Sequence, residues 1–256
     1  MAEASSVIEA GEREMIHSVF EFGDTLVKEV MVPRPDMVFI SSDATLRQCQ
    51  SLALRSGFSR IPVTGEDSDD VVGVINLKDV SRRVFDDPDS QNTQTVVELM
   101  RPANFCPDSK PIDDLLQEMQ RTRSHLVIVI DEFGGTAGLA TIEDILEEIV
   151  GEITDEYDPE PVDTVEDLGE GQFRVSARMP IDELGELFGM DIDDEDVETV
   201  GGLMAKQLNL VPIPGSRTVW ETLELVADQA VGRRHQIGAV LVRKLEDSEL
   251  DEDSDD

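Results

Sequence analysis

The sequence predicts a chain that is part α/β and part α+β, with two copies of a β-α-β-β-α unit followed by a small α+β domain. Three observations support this. Several strings recur at a near-constant spacing, each copy alternates strand-like and helix-like apolar periods, and the composition turns strongly acidic before the last domain. We divide the chain into an N-terminal helix, a first copy, a second copy, an acidic linker, the α+β domain and an acidic tail, at residues 1–23, 24–86, 87–154, 155–170, 171–244 and 245–256.

The internal repeat is the strongest of these observations. The motif Met-x-Pro occurs twice, and Met31 and Met100 are separated by 69 residues. Two later strings recur at a separation of 65 residues, so the second copy is about four residues shorter than the first. These strings are residues 59–63 with 124–128, and residues 73–79 with 138–144.

The same order of elements is predicted in each copy. An extended segment accompanies the proline, because the residue before proline is disfavoured in the α region. A helix then begins near Asp43 in the first copy and near Ser109 in the second, where apolar residues recur at helical spacing. Those apolar residues are Leu46, Cys49, Ala53 and Leu54, and then Ile112, Leu115, Leu116 and Met119. The extended segments, hairpin strands and last helices are predicted at 37–40, 60–63, 71–75 and 77–85, and at 104–106, 126–130, 137–140 and 142–150.

The remaining segments differ in composition. Residues 9–22 predict a helix, and residues 155–170 predict a linker because they hold eight acids, no compensating base and two prolines. The last eleven residues also hold eight acids and predict a disordered tail. Between linker and tail, strands are predicted at 172–177, 218–226 and 236–244, and helices at 181–188 and 200–208.

The charge of the chain excludes several functions. Asp and Glu number 57 against 21 Lys and Arg, which gives a formal charge of −36. A surface of this sign repels nucleic acid and anionic lipid. Two distant cysteines outside metal-ligand spacing predict neither a disulfide framework nor a zinc site. Because the N-terminus lacks signal-peptide features and no apolar run approaches the roughly 20 residues of a spanning helix, we expect a soluble cytoplasmic chain.

The most specific motif is the string SHLVIVIDEFGGTAGLATIED at residues 124–144, with VGEI at 150–153. This repeat unit resembles the CBS domain. The whole arrangement resembles the cytosolic part of the CorC/HlyC/TlyC family, whose eukaryotic relatives are the CNNM magnesium transporters. The strings VGGL at 200–203 and VPIPG at 211–215 are similar to the transporter-associated domain of that family, and the resemblance extends from about residue 12 to residue 244.

The resemblance implies a ligand and partners. Paired CBS domains form a Bateman module that binds an adenine nucleotide, ATP or AMP, with Mg²⁺ bridging the phosphates, and we expect a homodimer through these domains. Family members often carry an N-terminal membrane domain. We therefore expect the chain either to act on a membrane ion transporter or to lack a membrane domain of its own, and to work at the cytoplasmic face of the membrane. The expected function is nucleotide-dependent regulation of magnesium and cobalt efflux.

Other functions remain as alternatives. They are a haemolysin-like membrane-active protein, the cytosolic fragment of a membrane-embedded Mg²⁺ transporter, and an adenine-nucleotide hydrolase. The three histidines lack HExxH spacing, and the sequence holds neither a GxSxG motif nor a P-loop. We therefore expect no catalytic residues, no protein-held metal and no enzyme activity.

Thr141 and Asp144 are the main candidate nucleotide ligands. Thr141 stands where a predicted strand ends and a helix begins, so its hydroxyl and the first helical N–H groups suit a phosphate or ribose oxygen. Asp144 lies one turn further on and is placed to accept ribose hydroxyls. The same pair also fits a plain capping box, and the local pattern does not decide between the two. The first copy has Asn76 and Asp79 at the matched positions, and we include Asp79 among the candidate nucleotide ligands. The change from threonine to Asn76 makes a second nucleotide less expected there.

A polyphosphate in so acidic a chain requires local positive charge. Ser59 and Arg60 begin the matching strand of the first copy, and His125 begins that of the second, so we assign all three to the site. Arg121 and Arg123 also lie nearby, but we expect them to be solvated charges at a helix end.

The resemblance places adenine against apolar and backbone groups of Phe105 and Cys106. Core packing explains both residues equally well. Cys106 has no nearby base and no partner thiol, so we interpret it as a small hydrophobic residue rather than a nucleophile.

Overall fold

The structure, a computed structural model, describes residues 10–66, 69–151, 165–194, 196–232 and 236–245. The chain separates into two compact units, residues 1–50 with 59–153 and residues 51–58 with 154–256. The expected order of two β-α-β-β-α copies and a small α+β domain is confirmed. None of the helices in the described part of the chain is long and apolar enough to span a bilayer.

The N-terminal helix α1 and the first copy occupy residues 10–86. Helix α1 (Ala10–Phe22) is followed by the short helix α2 (Val27–Val30) and by strand β1 (Val32–Pro33), and a single 3-10 turn spans Arg34–Asp36. The other elements are β2 (Ile40–Ser41), α3 (Leu46–Ser56), β3 (Arg60–Thr64), β4 (Val71–Asn76) and α4 (Leu77–Asp86). Strands β2 and β3 are parallel, and β3 and β4 form the expected antiparallel hairpin.

The second copy repeats this order. A short helix α5 (Ser90–Thr93) and a 3-10 turn at Val96–Glu98 connect it to the first. Its elements are β5 (Phe105–Pro107), α6 (Ile112–Thr122), β6 (Leu126–Ile130), β7 (Thr136–Thr141) and α7 (Ile142–Val150). Helix α6 buries Ile112, Leu115 and Met119 along one side, as their helical spacing predicts.

The two copies exchange their leading segments. Strand β1, in the leading segment of the first copy, pairs with β7 of the second, with Val32 opposite Leu139. The matched residue Arg101, in the leading segment of the second copy, pairs with Val74 of β4 through two backbone hydrogen bonds of 2.9 Å. Residues 32 and 139 correspond to 101 and 74 in the repeat alignment, so each Met-x-Pro segment joins the sheet of the other copy.

Glycine makes this exchange possible at two matched positions. A Cβ at Gly73 would lie 2.7 Å from the Arg101 carbonyl oxygen and from the Met100 sulfur. A Cβ at Gly138 would overlap the Val32 carbonyl oxygen even more closely. Only glycine allows a backbone to approach this near without displacement.

The second unit contains a five-stranded antiparallel sheet with two helices. The strand order is β10-β11-β12-β9-β8. Its elements are β8 (Glu166–Gly169), β9 (Gln172–Ser176), α8 (Ile181–Phe188), α9 (Val200–Leu208), β10 (Arg217–Trp220), β11 (Leu223–Val231) and β12 (Gln236–Lys244). The inner faces bury a single apolar cluster that includes Leu184, Leu203 and Leu225.

The structure corrects several expectations. Residues 166–169 belong to strand β8 rather than to the acidic linker 155–170, because Arg174 on the neighbouring strand pairs with Glu166 at 2.9 Å. The strand expected at 218–226 is two strands joined at Glu221, which has a φ of 50°. Leu54 is expected on the buried apolar face of its helix, but its side chain is 76% exposed. Leu245 is buried and not part of a tail, while residues 155–164 and 246–256 lie outside the described residues.

Candidate functional site

Thr141 and Asp144 form a reciprocal capping box at the start of α7. The Thr141 N–H and hydroxyl donate to the same Asp144 carboxylate oxygen at 2.9 Å and 2.6 Å, and the Asp144 N–H donates to the Thr141 hydroxyl at 3.2 Å. Both residues are half-buried. The capping-box interpretation is therefore confirmed, and a ligand that used either residue would have to exchange these bonds for its own.

The matched position in the first copy is arranged differently. Asn76 precedes α4 but its side chain makes no hydrogen bond to the helix backbone. Its amide instead donates to the Asp79 carboxylate at 3.4 Å. The same carboxylate oxygen accepts from the guanidinium of Arg101 at 2.6 Å, and the side chain of Asp79 is 27% exposed against 65% for Arg101.

Two adjoining cavities lie within the first unit. The larger, of about 590 Å³, is lined by residues at the start of α4: Ser59, Arg60, Asn76, Leu77, Lys78, Asp79, Ser81 and Arg101. The smaller, of about 390 Å³, lies between the copies and is lined by Arg60, Val74, Asn76, Arg101, Pro102, Asn104, Thr122, Arg123, Ser124, His125 and Leu126. Arg60, Asn76 and Arg101 belong to both linings.

The smaller cavity has an unusual charge for this chain. Its described lining contains Arg60, Arg101, Arg123 and His125 and no carboxylate. The whole chain carries a formal charge of −36, so Arg60 and Arg123, together with Arg101, whose guanidinium is paired with Asp79, concentrate positive charge around one volume. Such a basic concavity raises the local concentration of anions. The lining is suited to a multiply charged anion of the size of a polyphosphate.

The backbone fixes where these basic side chains begin. Arg60 is the first residue of β3 and pairs with Asn76. Arg123 ends α6 in a left-handed conformation, φ 55°, with its N–H donating to the last carbonyls of that helix. Arg123 is exposed at the helix end, as expected, and it also lines the smaller cavity. Arg121, by contrast, contributes to neither described lining.

His125 connects the smaller cavity to the start of α7. Its side chain is exposed at the cavity, and its carbonyl oxygen accepts the Ile142 N–H at 3.3 Å. Among the described residues that line the two cavities, Thr141 and Asp144 do not appear. Strand β7 places Thr141 opposite Leu126, which lines the smaller cavity, and Thr141 and Asp144 lie one and two residues from Ile142, where His125 contacts α7. In the first copy, the Ser59 carbonyl accepts the Leu77 N–H at 2.9 Å. Each helix start is therefore hydrogen-bonded to its own copy's hairpin, although Ser59 aligns with Ser124 and not with His125 in the repeat.

Phe105 and Cys106 point in opposite directions from β5. Phe105 is 49% exposed, whereas Cys106 is 2% exposed within the core of the second copy. Burial raises the pKa of the Cys106 thiol to about 11 and that of Cys49 to about 11. Both thiols therefore remain protonated at neutral pH, which supports the interpretation of Cys106 as a small hydrophobic residue.

Sequence reasoning missed Arg101 and Asn104. A signal for Arg101 was available, because the repeat alignment places it opposite Val32, the one charged-for-apolar change in the Met-x-Pro motif. Asn104 gave no such signal. In the described part of the chain, no group of three or more His, Cys, Asp or Glu side chains is placed to hold a metal ion.

Comparisons with known proteins agree with this architecture. Residues 27–86 and 96–151 match the CBS domain family, and residues 166–246 match the family described as a transporter associated domain, CorC/HlyC. The chain is thus a tandem CBS-domain protein with a transporter-associated domain. It is 37% identical to the magnesium and cobalt efflux protein CorC of Escherichia coli K12, over 82% of this chain and 71% of that protein. The chain belongs to the CorC family.

A longer relative shows that the match covers only part of some family members. A UPF0053 protein of Mycobacterium tuberculosis is 51% identical over all of this chain and 60% of its own length. The chain therefore spans about 60% of the UPF0053 relative that it matches.

Solved structures match the tandem repeat. One is the CBS domain of a bacterial CNNM/CorC family Mg²⁺ transporter, with 43% identity, a TM-score of 0.55, and coverage of 60% of this chain and 92% of that one. Another is a CBS domain of the same description in complex with ATP, with 43% identity, a TM-score of 0.52, and coverage of 56% and 99%.

Proposed function

We propose that this chain senses an adenine nucleotide, as Mg-ATP, and regulates magnesium or cobalt efflux through a membrane partner or a membrane domain. The observation that carries the proposal is the basic cavity between the two copies, whose lining residue Leu126 pairs with Thr141, in a region 43% identical to a CBS domain described in complex with ATP. Relatives described as magnesium and cobalt efflux proteins support the process that is regulated.

Different residues bind the ribose and the phosphates of the nucleotide. Asp144 accepts the ribose hydroxyls, and Thr141 with the first N–H groups of α7 contacts a phosphate or ribose oxygen. The remaining phosphates extend past His125 into the smaller cavity, where Arg60, Arg101 and Arg123 supply charge-assisted hydrogen bonds. Magnesium on the phosphates would lower their net charge and reduce repulsion from the acidic surface.

The adenine base uses the neighbouring strand. The half-exposed Phe105 ring offers a face against which a base can stack. Cys106 is buried, so its contribution is limited to the backbone of β5. Ser59 and Asp79 occupy the matched place in the first copy, but Asp79 is already ion-paired with Arg101. We therefore propose one tightly bound nucleotide for each chain.

Regulation requires two conformations with different nucleotide affinity. A nucleotide that bridges the two copies favours the arrangement in which both of its ends are bound, and only this difference in affinity can shift the equilibrium. We expect the chain to form a homodimer through its CBS domains. The transporter-associated domain would then transmit the conformational change to the membrane partner or membrane domain at the cytoplasmic face of the membrane. The 60% coverage of the UPF0053 relative supports the alternative in which the chain is the cytosolic part of a longer transporter.

Isothermal titration calorimetry tests the nucleotide site. We expect the wild type to bind ATP with Mg²⁺ and we expect Thr141→Ile and Asp144→Ala each to weaken binding by about 1–3 kcal/mol, as the loss of a polar partner to a charged ligand usually does. ADP and AMP titrations then measure the contribution of the outer phosphates.

A matched control separates ligand contact from loss of the helix cap. Thr199 caps α9 by accepting the Gly202 N–H at 3.2 Å and lines neither described cavity, so Thr199→Ala removes a cap without removing a proposed ligand. Arg60→Gln is compared in the same way with Arg82→Gln, which lies exposed on α4. Unchanged ATP affinity in Thr141→Ile and Asp144→Ala, with both variants folded by circular dichroism, would show that the site is assigned wrongly.

A further inference from the structure

Arg101 is the basic residue that the structure shows in two roles at once. Its guanidinium is ion-paired with Asp79 at 2.6 Å, and the same residue lines the basic cavity between the copies. Asp79 lines only the larger cavity at the start of α4. Arg101 lies in the segment between the copies, residues 87–104, which follows α4 and leads to β5. The Asp79–Arg101 pair therefore connects this segment to the first turn of α4.

The backbone of Arg101 is fixed by hydrogen bonds, whereas its side chain is largely exposed to solvent. Two hydrogen bonds of 2.9 Å join its peptide groups to Val74, and the close approach at Gly73 leaves no room for displacement. The side chain itself is 65% exposed. A change of partner at Arg101 thus requires only rotation of the side chain.

The present partner is a weak one. Exposed ion pairs contribute little, because water screens the charges and both side chains lose rotational freedom. Phosphate is a stronger partner, since a guanidinium can donate two parallel hydrogen bonds to it and a polyphosphate carries several charges. A polyphosphate in the smaller cavity, where Arg60 and Arg123 also lie, competes effectively with Asp79.

We propose that Arg101 is a switch residue with two partners: Asp79 holds it in the absence of nucleotide, and the phosphates of bound ATP take it over and release α4 from the segment between the copies. This inference rests on the proposed nucleotide site and adds its regulation. The second copy has no equivalent pair, because the residue matched to Arg101 is Val32. The switch therefore acts on α4 and leaves α7 unaffected.

Calorimetry on the full chain with ATP, Mg²⁺ and AMP tests the switch. Asp79→Asn removes the competitor, so we expect ATP affinity to rise roughly two- to fivefold, the range of an exposed ion pair. Arg101→Gln removes the phosphate donor and should lower ATP affinity roughly tenfold, with a smaller change for AMP. Arg101→Lys keeps the charge and should recover part of that loss. In the double variant, Asp79→Asn should have no further effect, since there is no arginine left to release.

The matched control lies at the C-terminal end of the same helix, where Asp87 follows its last residue. Asp87 pairs with Arg83 at 3.1 Å, so Asp87→Asn removes one negative charge and one exposed ion pair without contact with either described cavity lining. We expect its ATP affinity to stay within twofold of the wild type. Amide hydrogen exchange adds a second measurement: ATP should accelerate exchange in α4 of the wild type, and Asp79→Asn should show the faster exchange before ATP is added.

Each outcome has a defined meaning. A fall in ATP affinity on Asp79→Asn would show that Asp79 binds nucleotide directly and would overturn the switch. Equal affinities for Asp79→Asn and Asp87→Asn, or a full Asp79→Asn effect in the double variant, would overturn it as well. A wild type that binds no ATP refutes the proposed function together with the switch, whereas a wild type that binds ATP with these variant results refutes only the switch.

Discussion

The two copies of the repeat share their fold and differ in the chemistry at the start of the last helix. In the second copy, Thr141 and Asp144 satisfy each other in a capping box. In the first, Asn76 leaves the helix backbone uncapped by its side chain, and Asp79 is paired with Arg101 from the segment between the copies. The order of elements is the same in both copies, but the hairpin register differs: Arg60 pairs with Asn76, whereas Leu126 and not His125 pairs with Thr141. The two helix starts therefore differ in backbone register as well as in side chains.

This difference gives the carboxylate at one matched position a different set of partners in each copy. The second copy presents a carboxylate whose partners belong to its own helix, whereas the first presents one whose partner comes from elsewhere. A ligand at the second copy replaces local bonds, and a ligand that attracts Arg101 changes a contact between copies. Duplication supplies the symmetric framework, and single substitutions such as Val32 against Arg101 supply the asymmetry.

The glycines that permit the exchange of segments carry the largest expected effect. At Gly138 a Cβ would overlap the Val32 carbonyl oxygen, and at Gly73 it would meet the Arg101 carbonyl oxygen at 2.7 Å. Neither obstacle is a flexible side chain, so the paired strands must separate. We expect Gly138→Ala to lower the free energy of unfolding by about 3 kcal/mol and Gly73→Ala by about 2 kcal/mol, within the range for overpacked sites.

Urea unfolding with two probes measures this effect. Circular dichroism follows the whole chain, while the single tryptophan, Trp220, lies in β10 and reports the second unit. The glycine variants should shift the dichroism transition more than the fluorescence transition. Gly23→Ala is the control, because a Cβ there has nothing within 4 Å. A Gly138→Ala variant as stable as Gly23→Ala would show that the segments are not exchanged.

The sequence predicts the framework well because periodicity and repetition are local signals. Helices at 142–150, 181–188 and 200–208 coincide with α7, α8 and α9, since apolar spacing and the turns that bound these helices agree. The exchange of segments was not predicted, because it depends on which sheet a two-residue strand joins. The β10–β11 turn was not predicted, because Glu221 adopts a positive φ and glutamate is not a residue type that favours this conformation.

The candidate site was predicted only in part, because some of its residues belong to local motifs and others meet only through the tertiary fold. Thr141 and Asp144 carry a local motif, so their positions could be read, although the motif fits both a cap and a ligand. The Asp79–Arg101 pair joins residues that are far apart in sequence, and nothing near either residue predicts the other. Arg60 and His125 were selected by their matched strand positions, and the structure places both on the smaller cavity.

Each copy also holds one buried thiol, and here we expect the copies to behave alike. Burial raises the pKa of Cys49 and Cys106 from an ordinary value of 9.0 to about 11. A thiol whose pKa is higher in the folded state stabilises the fold fully below pH 9, and this stability is lost as pH rises towards 11 because only the unfolded chain ionises. Each thiol should remove about 1.4 kcal/mol per pH unit in that interval.

Urea unfolding between pH 8 and pH 10.5 measures these slopes. Cys49→Ala and Cys106→Ala should each reduce the pH dependence by a similar amount, and the double variant should remove most of it. The double variant also serves as the baseline for other groups that titrate in alkali. If one single variant left the slope unchanged, the thiol in that copy would be accessible to water.

The capping contrast gives the smallest effect and tests the comparison most directly. Thr141→Ala removes a side chain that accepts the Asp144 N–H, so α7 should lose about 1 kcal/mol, a typical cost of a lost N-cap. Asn76→Ala removes a side chain that makes no cap bond to α4, and we expect a change within about 0.5 kcal/mol. The measurement is urea unfolding without nucleotide, so ligand binding does not enter. Equal losses in both variants would mean that Asn76 caps α4 in solution, and the two helix starts would then differ in the ion pair with Arg101 and not in capping.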